Sequence, residues 1–196
     1  MLQWLQERGC PWDERNCAAA AYGGYLALLR WARDKGCPWD DRTCVQAAQE
    51  GHLEVLLWAH ANGCPWDERT CLVAAAYGQL DALRWARWNG CPWDEDTCRM
   101  AAAHGHLDTL RWAMHSGCPH THQDLYNNAA AWGRGGVMAW LEEDARTNGH
   151  DLHIRGPCAN DDDLANDELR MMDTVKDLWR ARQWAPGFVH PLCDLL

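Results

Sequence analysis

The chain has 196 residues, 47% of them hydrophobic, so it can bury a substantial core as one domain or a short array. Its formal net charge is −10, concentrated over residues 142–168, and no Lys/Arg run or basic face offers to neutralise phosphates, which excludes nucleic acid and an anionic membrane surface as main partners. No apolar stretch reaches the ~20 residues of a spanning helix and the N-terminus has no leader pattern, so the chain reads as soluble and intracellular.

Aromatic usage is lopsided, with 14 Trp against 4 Tyr and one Phe, which suggests a single Trp-bearing unit copied several times. Gly-Cys-Pro-Trp begins at Gly9, Gly36, Gly63 and Gly90, and Gly-Cys-Pro-His at Gly117. Each step is 27 residues, without insertion across four intervals. Chance does not produce that.

In chain order, the sequence opens inside a second helix, because Leu2, Trp4 and Leu5 match Leu29, Trp31 and Ala32 one period later. A proper N-terminal cap is absent. The unit Asp67 to Trp93 shows the design that follows. Asp67 is suited to cap a helix, Glu68 sits in the first turn where the helix dipole favours negative charge, and Gly78 ends helix one. Helix two carries Leu80, Leu83, Trp85 and Ala86 along one stripe, and Gly90 closes it before Pro92. Helices of roughly ten residues are marginal alone in water, so neighbours must hold them, as in a solenoid. The recurrent Ala pairs, such as Ala47/Ala48 and Ala74/Ala75, and the Leu pairs, such as Leu53/Leu56 and Leu80/Leu83, read as core.

The array decays after Gly117: Ala129-Ala130-Ala131-Trp132-Gly133 fits one residue late, and Gly135-Gly136 replaces a Leu position. Residues 150–166 read as an acidic linker, and 167–185 as a final helix that would cap the stack. This divides the chain into an array over 1–149 and a tail over 150–196.

The string Ala47-Ala48-Gln49-Glu50-Gly51-His52-Leu53-Glu54-Val55 resembles the ankyrin repeat, and the resemblance covers about residues 1–149. The unit is six residues shorter than the family's 33, and Thr-Cys-x-x replaces its Thr-Pro-Leu-His. This shorter form looks like repeats of giant DNA viruses and some protists. The resemblance implies an all-α, ankyrin-like helix-turn-helix solenoid whose finger is reduced to a tight turn around Cys-Pro-Trp-Asp. It also implies a non-catalytic protein-protein interaction scaffold, with two alternatives. One is a substrate adaptor recruiting a ubiquitin-ligase component through the tail; the other is a repeat fragment without independent role.

Chemistry finds little purchase in the sequence. The paired cysteines, such as Cys64/Cys71, stand seven apart and read as buried thiols rather than metal ligands. The closest approach to a metal motif is Cys118-Pro119-His120-Thr121-His122 with His115 upstream, which drift in a decaying unit accounts for. The two Trp rows, Trp12/Trp39/Trp66/Trp93 and Trp31/Trp58/Trp85/Trp112, read as a structural aromatic layer. His52 and His106 occupy a generic repeat position, and Gly133-Arg134-Gly135-Gly136 follows no strand, so neither a catalytic base nor a phosphate loop is expected. We expect no enzyme activity, cofactor or metal. A protein partner is expected on helix one, at the variable positions Gln46, Glu50, Val73, Tyr77, Met100 and His104, and the Arg30, Arg84 and Arg111 row is expected to be a solvated outer stripe.

Overall fold

Each repeat begins with the same local chemistry. Asp13, Asp40, Asp67 and Asp94 hold extended backbone, and each carboxylate accepts the N–H two residues on at 3.1 Å, relieving one of the donors a helix start leaves orphaned. In the last unit Thr121 takes this place, accepting from the Asp124 N–H at 3.2 Å. A computed structural model describes residues 13–150 and Leu152 of the chain, and the described residues form helices and no strand.

The first helices of successive units are α1 (Glu14–Tyr22), α3 (Asp41–Gln49), α5 (Glu68–Ala76), α7 (Glu95–His104) and α9 (His122–Ala131). The second helices are α2 (Leu26–Asp34), α4 (Leu53–Ala61), α6 (Leu80–Trp88), α8 (Leu107–His115) and α10 (Gly135–Asn148). The architecture is an all-α helical repeat solenoid. None of these helices is long and apolar enough to cross a membrane. The expected finger is a short non-helical turn, as at 64–67 between α4 and α5. Where the sequence decays, α9 gains one residue and α10 starts directly on Gly135-Gly136, running to 14 residues. The helix expected around Leu2, Trp4 and Leu5 and the closing helix over 167–185 lie outside the described residues.

Both helices of a unit stop in the same way. After α3, Gly51 takes φ +71° and the next N–H, of His52, bonds back to Ala47 O at 2.9 Å; after α4, Gly63 takes φ +81° and Cys64 N–H bonds to Ala59 O at 3.0 Å. These are the backbone reversals that a left-handed glycine permits. They fix where each helix ends and so keep the repeat at constant length.

Packing is closest between successive first helices. Their facing residues are small: Ala47, Ala48, Ala74, Ala75, Ala101 and Ala102 are all fully buried, beside Cys44, Cys71 and Cys98. The second helices hold on through Leu29, Leu56, Leu83 and Leu110, all fully buried, whereas the first leucine of each pair is only partly so.

Polar groups hold the array together as well. Within each unit, the Sγ of Cys37, Cys64, Cys91 or Cys118 donates back to the backbone carbonyl of the Asp that caps that unit's first helix, at 3.2–3.4 Å. The residue just before helix two reaches back to the end of the previous helix one: His52 Nε2 lies 3.0 Å from Tyr22 O, Gln79 Nε2 donates to Gln49 O at 3.2 Å, and Arg134 Nε to Ala103 O at 2.9 Å. His106 sits over Gly78, where a Cβ would come within 2.5 Å of its ring. Arg69 adds an ion pair to Asp41 across the same boundary.

Three groups stay outside this network. The Oγ1 atoms of Thr43, Thr70 and Thr97 are fully buried and find no hydrogen-bond partner among the described residues. Such an unmatched hydroxyl costs free energy that an isosteric methyl does not. In urea unfolding, Thr70→Val should therefore leave stability unchanged or raise it, whereas Leu83→Ala should lower it by about 3 kcal/mol. A loss above about 1 kcal/mol for Thr70→Val would mean that the hydroxyl is satisfied.

Candidate functional site

The surface of helix one is where the repeats differ while their core does not. The residue just before the left-handed glycine that follows helix one is Glu50, Tyr77 and His104 in successive units, and the one-residue slip of the last unit puts Trp132 in this row. Glu50 is half-buried, Tyr77 is 41% exposed and Trp132 is 36% exposed. The rings of His104 and Trp132 stack at 6.1 Å, which joins two units of the row directly. Burial, then the Glu50 carboxylate and Tyr22, push the Tyr77 hydroxyl above its ordinary range, so it stays a hydrogen-bond donor. Burial, then His106 and the Arg134 cation, hold the His104 imidazole below its ordinary value and favour the neutral ring. The row presents an aromatic surface with a carboxylate at one side.

The other expected residues are placed differently. Gln46 is 9% exposed and packs between first helices instead of facing solvent, and Val73 and Met100, at the same register, are half-buried. The first-helix surface is thus narrower than the variable positions suggest, and it lies towards the helix C-termini. Two residues outside the expected set belong to it. Tyr22 is 49% exposed and close enough to influence Tyr77, and Trp132 was hidden by the one-residue slip of its unit. The slip itself was the available signal.

The outer face is packed rather than free. Trp39, Trp66 and Trp93 meet Trp58, Trp85 and Trp112 edge-on at 5.6–5.9 Å. Arg33 and Arg87 lie over Trp39 and Trp93 at 4.1 and 4.5 Å, and His60 stacks on Trp66 at 3.9 Å. The expected solvated stripe of Arg30, Arg84 and Arg111 is more than that: each guanidinium reaches the next unit's Trp58, Trp112 or Trp140 within 5.3–5.8 Å. Such contacts contribute about 0.5–1 kcal/mol at exposed sites. Trp88, 91% exposed on α6, stands apart from these ladders.

The described cysteines are unpaired and buried. Burial, then the hydrogen bond with Cys37, pushes the Cys17 thiol up to about 12. In Cys44, Cys71 and Cys98 the hydrogen bond to the thiol of the following turn and then burial act in the same direction. A thiol held protonated is a poor nucleophile. These groups therefore serve packing between units.

Compared with known proteins, the chain matches no family model and no curated protein. The reading of the site rests on its own geometry.

Raised thiol values have a consequence for stability. The stabilisation from keeping Cys17, Cys44, Cys71 and Cys98 protonated is complete below the ordinary value of 9.0, and is lost as pH rises towards the folded values. The urea midpoint should fall steadily above pH 9, and the Cys17 peptide should alkylate at pH 8 roughly a hundredfold or more slowly than in unfolded chain. Equal labelling rates in the native and unfolded protein would contradict the burial described.

Proposed function

We propose that the protein is a non-catalytic binding scaffold of ankyrin type, which takes a protein partner along the first-helix row Tyr22, Glu50, Tyr77, His104 and Trp132. The observation that carries this reading is the contrast between the two faces. Trp and Arg side chains of the outer face are largely engaged with one another, whereas the first-helix row presents aromatic rings on a rigid layer that its own packing does not consume. Aromatic anchors held on a fixed backbone bind with little loss of side-chain freedom, and a few of them dominate interface energetics. The Gly-His-Leu string and the paired-helix unit support the ankyrin assignment, with the short turn in place of the finger moving the recognition task to helix one. The free thiols suit a reducing, intracellular compartment.

A quantitative pull-down from host-cell lysate tests this. The triple variant Tyr77→Ala/His104→Ala/Trp132→Ala, with unchanged helical content, should lose its enriched partner by roughly a hundredfold in affinity, as removal of anchors worth about 2 kcal/mol or more implies. Trp88→Ala should retain it. Loss with Trp88→Ala alone would place recognition on the outer face and overturn the proposal.

A further inference from the structure

The decaying end of the array holds a cluster that the scaffold reading does not use. His122 opens α9, Asp144 lies on the last turns of α10, and His150 follows Gly149, whose φ of +71° turns the chain back across the helix end. One ligand atom from each of these residues lies within 4.8 Å of the others. His122 Nε2 is 2.9 Å from Asp144 Oδ2, with the two side chains only 10% and 17% exposed, and the His150 ring stacks on that of His122 at 3.8 Å. They border a hollow of about 590 Å3 that Met114, His120 and Asn148 also line.

From this geometry we propose that His122, Asp144 and His150 form a binding site for one divalent transition metal ion of the zinc class. Two imidazoles and one carboxylate are the donor set of a borderline ion, whereas calcium and magnesium take oxygen ligands. The surroundings orient the donors. Asn148 Nδ2 donates to Asp144 Oδ1 at 3.0 Å, which leaves Oδ2 for the metal. His120, whose ring lies 5.3 Å from that of His122, is turned towards the backbone, with Nδ1 2.8 Å from Cys118 O, and the remaining coordination position falls to water. Cys118 is not a ligand, because its thiol is buried and donates to Asp94 O at 3.2 Å. Closing donors from 4.8 Å to the spacing around a zinc ion asks for movements on the order of 1 Å and for the exposed His150 ring to rotate out of its stack on His122, because a metal lies in the plane of each imidazole that ligates it. On binding, the proton that His122 Nε2 shares with Asp144 moves to Nδ1 or to solvent, and only coordinate bonds form.

The His-x-His pair was visible in the sequence as His120 and His122. Asp144 and His150 join it only through the antiparallel packing of α9 and α10, which brings positions 22 and 28 residues downstream of His122 alongside it. No sequence spacing announces that.

Titration of the full-length, reduced protein with cobalt(II), followed by competition with zinc(II), tests the site. One equivalent of cobalt should give visible ligand-field bands without a thiolate-to-cobalt charge-transfer band. His150→Gln, at an exposed position whose change leaves the fold intact, should weaken binding at least roughly tenfold, and Asp144→Asn or His122→Ala roughly a hundredfold, with helical content checked by circular dichroism. Absence of saturable binding at millimolar cobalt would overturn the proposal. So would a thiolate charge-transfer band at one equivalent, or an affinity that His150→Gln leaves unchanged.

Discussion

A nine-residue helix does not persist in water, and nine of the ten described helices have nine or ten residues with no partner but their neighbours in the stack. The close approach of successive first helices is the constraint on which everything else depends. Ala47, Ala48, Ala74 and Ala75 are fully buried because any larger side chain there would push the layers apart. The left-handed glycines fix the helix ends, the turn cysteines return a hydrogen bond to the preceding capping Asp, and a fixed period of 27 residues follows.

Much of this was legible in the sequence because it is local. The capping Asp residues, the glycines after each helix and the Ala pairs each signal a backbone need met within a few residues, and all are found where expected. What stayed hidden depends on neighbouring units. Gln46 varies between repeats, yet it is buried against the adjacent first helices, so variation did not mean exposure there. Arg84 looks like a solvated residue until the next unit's Trp112 is seen beneath it. The shift of Trp132 into the Tyr77–His104 row follows from one added residue in α9, and a periodicity argument discards such a unit as decayed.

Placement also sorts variable positions by the task they perform. The residue just before helix two changes from His52 to Gln79 to His106 to Arg134, but His52, Gln79 and Arg134 each make the same backward reach to a first-helix carbonyl. Chemically different side chains satisfy one structural demand there, since a ring nitrogen, an amide and a guanidinium can all meet a carbonyl. At the neighbouring row of Glu50, Tyr77, His104 and Trp132 no such shared bond recurs among the described residues. Side chains released from the packing are the ones available for recognition, which is why that row carries the proposed binding face.

The account stands on stability residing between units rather than within helices. Native-state hydrogen exchange read by mass spectrometry across residues 13–150 addresses that directly. If contact between units holds the helices, α5 and α6 should share one high protection level, protection should decline together in both helices of a unit towards the ends of the array, and Leu83→Ala should lower it in units on either side. Protection set helix by helix, with the effect of Leu83→Ala confined to α6, would contradict it.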